Sequence, residues 1–294
     1  RARRVCAREA GVFVMRILSG LSVSAIALTA ALGLPTSTHD GPSYTTFGTP
    51  GLLEMPTAES ADRSEIAATI FYGGAAGYRT SFTYQLSDRL SGSFRYSVFD
   101  QYKRLNDDGT SRGTFETFDR SFDLRYRFLD EGDYMPAVAI GLQDFLGTGD
   151  LSAEYIVATK TVTPQVDVTL GFGWGRLGTR NGLTNPLGAL DPFYETRPIR
   201  DKAAFQEGGT TTGQYFRGDV AVFGGVSYVY SDALTFKAEY SSDAYVRETG
   251  NGTLDDNIPL NFGVKYTRWN GLDFQAAILH GSELAVGATP SYWP

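Results

Sequence analysis

The stretch LSGSFRYSV, residues 90–98, decides the fold. Leu90, Gly92, Phe94, Tyr96 and Val98 fall on one face of an extended chain, and Ser91, Ser93, Arg95 and Ser97 on the other, because successive strand side chains point to opposite sides. Segment 121–128 repeats the alternation, with Phe122, Leu124, Tyr126 and Phe128 opposite Ser121, Asp123, Arg125 and Arg127. In 166–174, Val166, Val168, Leu170, Phe172 and Trp174 oppose Asp167, Thr169, Gly171 and Gly173. Segments 234–240 and 260–266 follow the same rule, with Lys237, Glu239 and Lys265 on their polar faces. No comparable helical periodicity follows the N-terminal apolar run.

Weaker segments complete the set. Strands are expected near 65–73, 78–86, 90–99, 119–129, 136–145, 152–160, 165–177, 219–230, 233–241, 258–267, 271–280 and 283–289. Several reach nine residues or more, which suits a tilted membrane crossing. Short turns at 87–89, 130–134, 161–164, 231–232 and 268–271 alternate with longer loops at 100–118, 146–151, 178–218 and 242–257. Short turns at one rim and long loops at the other are the layout of an outer-membrane barrel. The predicted fold is therefore all-β: an antiparallel transmembrane β-barrel of about twelve strands, over residues 64–294. Tyr78, Tyr84, Tyr96, Phe99, Trp174, Tyr228, Tyr240, Tyr266 and Trp269 stand near strand ends as candidates for interfacial girdles. A soluble sandwich or lipocalin-like barrel also alternates, with its apolar face turned inward. Strand length, loop alternation and terminal aromatics favour the membrane form.

The N-terminus reads as processing sequence. Met15 and Arg16 open a positive start, Ile17 to Leu34 is apolar, and Ala31-Leu32-Gly33 offers a small-x-small cleavage pattern. Residues 1–14 are expected to be upstream read-through, 15–33 a signal peptide, and 34–63 a pre-barrel segment. Beyond that run no apolar stretch approaches the roughly 20 residues of a spanning helix. The only cysteine, Cys6, precedes the run, so neither a lipid-anchored cysteine after it nor a disulfide framework is expected. His39 and His280 are too few and too distant for a zinc site, and no cofactor or metal is expected. A formal net charge of −7 argues against nucleic acid as a partner.

Two stretches carry a family likeness: TFGTPGLLEMPTA at 46–58, and FDRSFDLRYRFLDEGDYMPAVAIGLQDFLGTGDLSAEYIVATK at 118–160, followed by VTLGFGWGRLG at 168–178. Together they resemble the YjbH family of outer-membrane proteins tied to exopolysaccharide and capsule production, over roughly residues 46–290. The resemblance implies a barrel in the outer membrane of a Gram-negative bacterium. It also implies surroundings of lipid and lipopolysaccharide, an anionic polysaccharide, and periplasmic or lipoprotein partners. Family members are often longer, with a second barrel-like region, and some look like lipoproteins. This chain is accordingly expected to be a short form or a first-barrel portion.

Enzyme signatures are absent: there is no G-x-S-x-G, no H-E-x-x-H and no G-x-x-x-x-G-K-[ST]. The glycines of GFGWG, 171–175, sit on a strand pattern, where they relieve crowding or allow a bend. If apolar faces meet lipid, the inward set comprises Arg79, Arg95, Asp123, Arg125, Arg127, Glu154, Lys160, Asp167, Lys237, Glu239, Lys265 and Asp273. Such charges form ion-pair ladders that fill a small lumen, or leave Arg95, Arg125 and Arg127 unpaired to face an anionic sugar chain. Guanidinium groups suit carboxylates and phosphates because they donate two parallel hydrogen bonds.

The pre-barrel motif is a second candidate. Thr49-Pro50-Gly51 reads as a turn and Met55-Pro56 as extended. The segment either enters the lumen, lies across the periplasmic mouth, or forms a first strand that closes the barrel. Trp174, Phe193 and Tyr194 near the longest loop are candidates for stacking on sugar rings, or for girdle positions. His280 continues the outward set Leu272, Phe274, Ala276 and Ile278, which places it at an interface. The expected role is non-enzymatic support of exopolysaccharide export or assembly. A general diffusion porin and a barrel-embedded lipid or ester hydrolase are the rivals.

Overall fold

Twelve antiparallel strands pair in chain order, and the last closes on the first. The computed structural model describes residues 41–293, apart from 74–76, 106–110, 148, 150, 199–211, 251–253, 255–257 and 269–270. The expected read-through and signal peptide, with Cys6, His39 and Trp269, lie outside the described residues. The strands are β1 (Ile66–Gly73), β2 (Tyr78–Gln85), β3 (Leu90–Leu105), β4 (Ser111–Leu129), β5 (Ala137–Gly147) and β6 (Ala153–Thr163). They continue as β7 (Val166–Gly175), β8 (Ala221–Ser231), β9 (Leu234–Tyr240), β10 (Leu260–Thr267), β11 (Leu272–Leu279) and β12 (Glu283–Tyr292). Every strand expected from the alternation is present.

Closure satisfies the backbone. β1 pairs with β2 on one side and with β12 on the other, from Ile66↔Tyr292 to Gly73↔Ala285. A closed ladder leaves no strand edge in lipid, where an unpaired N–H or C=O costs several kcal/mol. The outer wall carries Phe82, Phe94, Phe122, Leu124, Leu170, Phe172, Val226, Phe236, Phe262, Phe274, Ile278 and Val286, all exposed. Aromatic rings meet across neighbouring strands there, as in Phe94–Phe122 at 5.0 Å and Tyr96–Phe118 at 5.9 Å. An apolar exterior of this kind is stable only against lipid.

All five predicted short turns lie at one rim, together with the start of β1 and the end of β12. The connections β7–β8 and β9–β10 stand at the other rim, called here the loop rim. One long loop differs from expectation: β3 runs to Leu105 and β4 starts at Ser111, so most of 100–118 is strand. The long connection 178–218 is also not structureless, since short 3₁₀ turns at Pro186–Ala189, Pro192–Tyr194 and Thr212–Gln214 shape its described part. Asn185 and Asp191 start two of these turns by accepting hydrogen bonds from Leu187 N–H and Phe193 N–H.

Candidate functional site

The lumen is filled by the pre-barrel segment. Residues 44–58 are buried throughout, and they touch the inner wall all the way round. Gly48 lies against Ser81 of β2, Leu52 against Gly225 of β8, and Leu53 against Gly263 of β10. The segment, here called the strap, therefore enters the lumen and is not a barrel strand. The closed β1–β12 pairing leaves no opening for one.

The strap's local sequence explains its shape. Bridges Tyr44↔Pro50 and Gly51↔Pro56 fold it into two successive turns. Gly48, at φ 79, is left-handed, and a Cβ there would also strike Ser81. Thr45, Thr46, Gly48, Gly51, Leu52 and Thr57 donate their N–H groups to strap carbonyls. Four further donors are met by the wall. Leu53 and Met55 N–H reach one Glu239 oxygen at 2.9 and 3.1 Å, and Glu54 N–H reaches the other at 2.9 Å. Lys237 Nζ donates to Leu52 O at 2.7 Å and to Gln275 at 3.0 Å. Ala58 N–H donates to Thr159 at 2.8 Å. Buried backbone groups must be paired, and Glu239 meets three of them at once.

Apolar packing completes the hold. Met55 and Ala58 join Ala139, Tyr155, Val157 and Phe223, while Leu53 joins Phe71, Ala277, Leu279 and Ala285. Phe47 joins Phe99 and Leu151. Each fully buried Leu, Met or Phe contributes roughly 1.5–3 kcal/mol. Phe99 therefore packs inside the lumen instead of forming part of a girdle.

At the loop rim the strap meets the external connections through Glu54. Tyr245 donates to Glu54 at 2.5 Å, His280 Nε2 stands 2.9 Å from Glu54, and Arg79 stands 3.9 Å away. Tyr245 precedes the one-turn helix α1 (Val246–Gly250). Arg176 lies over the Tyr245 ring at 4.3 Å and pairs with Asp243 and, at 2.9 Å, with Glu248. Burial pushes the Glu54 carboxyl up, but the charges of His280 and Arg79 and the Tyr245 hydroxyl outweigh it and hold it down at about 2. For His280, burial lowers the imidazolium, and the charge of Glu54 more than offsets it, so the net shift is upward. Burial raises Asp243 to about 6 against the pull of Arg176. His280 is thus not at an outward interface. β11 ends at Leu279, and the positive φ of His280, 54°, turns its ring inward.

The predicted lumen residues divide into three groups. Arg79, Arg95, Asp123, Arg125, Lys237 and Glu239 are buried on the inner face, and Asp167, Lys265 and Asp273 share that face near the short-turn rim. Arg95 and Arg125 are not unpaired. Arg95 pairs with Asp123 at 2.7 Å and donates to Phe47 O, and Arg125 donates to the Thr57 and Glu59 carbonyls of the strap. Arg79 donates to Thr46 at 2.8 Å. Arg127 sits at the rim beside Asp130, at 3.1 Å. Lys265 and Asp273 pair at 3.5 Å, and Asp167 accepts from Thr161 at 2.7 Å.

Glu154 and Lys160 are on the outer face, contrary to expectation. Glu154 pairs in register with Leu142 and Trp174, and Lys160 with the exposed Val168. The apolar face of β6, Tyr155 and Val157, points inward because the strap offers it an apolar partner. Glu154 is covered by the long connection: Arg197 pairs with it at 2.7 and 2.9 Å, and Phe216 N–H donates to it at 3.0 Å. Phe216 also covers Trp174, with ring centroids 5.2 Å apart. Lys160 pairs with Glu131 at the short-turn rim. Phe193 keeps one half-exposed face, with Arg217 4.0 Å above it and Tyr194 edge-on. Among the strap-motif residues, Thr49, Pro50, Gly51, Met55 and Pro56 are all buried in the lumen. Residues 43–293 match the family described as "Exopolysaccharide biosynthesis protein YbjH".

The chain belongs to the YjbH family. It is 33% identical over 273 residues to "Uncharacterized lipoprotein YjbH" of Escherichia coli (strain K12), covering 88% of this chain and 37% of that protein. It thus spans little more than a third of that YjbH relative. Among solved structures it resembles the NanC porin, with TM-score 0.39 and 10% identity over 78% of this chain and 100% of that one. It also resembles the KdgM porin in complex with disordered oligogalacturonate, with TM-score 0.40 and 9% identity over 78% and 99%. The YjbH match extends through the strap.

Proposed function

We propose that this chain is a non-enzymatic barrel of the Gram-negative outer membrane that supports exopolysaccharide export or assembly. The observation that carries this reading is the strap, a family-matched segment seated in the lumen by Glu239, Lys237, Arg79, Arg95 and Arg125. A lumen filled this way suits a controlled or structural role better than free diffusion. The Glu54–His280 pair would be two members of a hydrolytic triad. Its geometry favours a structural role: Nε2 faces the carboxylate and Nδ1 has no hydrogen-bond partner among the described residues. Periplasmic or lipoprotein partners would engage the short-turn rim, where the strap enters. Lipopolysaccharide would surround the loop rim.

Deletion of the gene, with surface polysaccharide measured in yield and sugar composition, tests the reading. The expected result is a loss or altered composition of the polymer, restored by the wild-type gene. Unchanged yield and composition would overturn it.

A further inference from the structure

The connection from β7 to β8 folds outward over the barrel wall, and four contacts hold its described part there. Arg197 pairs with Glu154 on the outer face of β6 at 2.7 Å, and Phe216 covers Trp174 on the outer face of β7 at 5.2 Å. Tyr215 donates to Phe145 O near the loop-rim end of β5 at 3.1 Å. Asn181 donates to the hydroxyl of Tyr240 at the end of β9 at 2.6 Å. The connection, here called the shelf, thus reaches along the wall from β5 to β9.

The strand beneath sets the height of the shelf. From Val166 to Trp174 is eight steps of β7, about 26 Å of strand and roughly 20 Å of height at the usual tilt. The apolar band of a membrane barrel is about 25 Å tall, and Phe172 and Val222, paired in register just below Trp174, are exposed to it. The shelf therefore begins at the edge of the lipid tails. Its own surface suits that level: Leu190 is 81% exposed, and Leu183 and Phe193 are open as well. Grouped exposed apolar side chains mark a contact surface, and this one continues the lipid-facing wall. Arg217 lies over the Phe193 ring at 4.0 Å, donates to Gly213 O at 2.7 Å, and forms no ion pair among the described residues. Of the neighbouring acids, Asp191 accepts from Phe193 N–H at 2.8 Å and Glu195 lies against Gly188.

We propose that the shelf rests in the headgroup layer on the loop-rim side of the membrane, with Leu190 and Phe193 in the lipid and Arg217 on a lipid phosphate. Aromatic and cationic side chains gather at this layer, because ring and stem lie in the apolar edge while the charge reaches the headgroups. A guanidinium donates paired hydrogen bonds to phosphate. The contact sets the depth of the barrel in its leaflet. The inference rests on the membrane barrel and not on the exopolysaccharide role. An unchanged polymer after gene deletion leaves it standing, and its own failure leaves that role untouched.

The test uses the full chain in phosphatidylcholine vesicles. Leu190→Trp adds an indole to the shelf at an exposed position, and its emission is read by difference from the unsubstituted chain; Phe193→Trp repeats the reading. Lipids brominated close to the headgroup are expected to quench the added emission, and aqueous acrylamide to quench it far less than it quenches free tryptophan. Full quenching by acrylamide, with none from the brominated lipid, would place the shelf in water and overturn the proposal. Brominated phosphatidylglycerol, as a minor fraction, is expected to quench more than the same fraction of brominated phosphatidylcholine, through an enrichment of about fivefold by one basic residue. Arg217→Gln is expected to abolish that excess. The same excess in Arg217→Gln overturns the role of Arg217, and loss of the excess on adding inorganic phosphate assigns the cation to a free anion instead of a lipid.

Discussion

Tyr245 donates its phenolic hydrogen to Glu54 at 2.5 Å, tying the external loop that carries α1 to the strap inside the barrel. Both residues are almost fully buried. The contact makes the loop rim and the lumen filling one structure, because Arg176 stacks on the same ring and binds the acids of the same loop.

Tyr245→Phe removes this donor while keeping the ring. Glu54 retains His280, Asn261 and Arg79, so the expected loss is about 1–3 kcal/mol. Urea unfolding in micelles would measure it. Wild-type stability would show that the hydroxyl is not coupled to the strap.

Protonation adds a second check. Glu54, held down at about 2 against an ordinary 4.5, contributes stability above its unfolded value and loses it as pH falls towards 2. His280, raised above 6.5, contributes stability that is complete below that value and lost as pH rises through the folded pKa. The pair therefore stabilises most between about pH 4.5 and 6.5. Arg79 and Tyr245 also lower Glu54, and Asp243 and Glu239 also raise His280. The wild-type melting temperature is expected to exceed that of His280→Asn by more at pH 6 than at pH 9. An equal gap at both pH values would contradict the charged pair.

Arg197→Ala leaves Glu154 on the outer wall without its cation. The Glu154 side chain is fully buried and that of Arg197 one-fifth exposed, so a cost of about 3 kcal/mol is expected. The long connection should also lift away from Trp174. Limited proteolysis would detect faster cleavage between residues 178 and 218, and unchanged cleavage would mean that other contacts hold the loop.

The fold was legible because a period of two needs only local sequence. The split of Phe94 from Arg95, or Phe122 from Asp123, holds whatever fills the lumen. The site was legible only in part. Assigning apolar faces to lipid works for β3, β4 and β7 and fails for β6, because Tyr155 and Val157 face the apolar residues of the strap. Glu239 was recognised as inward, but nothing local reveals that it binds N–H groups some 185 residues away. Alternation places His280 outward, but it stops at the strand end, where a positive φ redirects the side chain. A signal for the strap was present in TPGLLEMPTA: an apolar, turn-rich segment beside a polar inner wall is a candidate to fill it.

A strap that fills the lumen should block ion flow, and conductance in planar lipid bilayers reads this out. The full chain is expected to show no steady open channel, and a variant lacking residues 43–58 to show a stable conductance. A large, steady channel in the full chain, unchanged by removal of the strap, would show that the strap does not close the lumen.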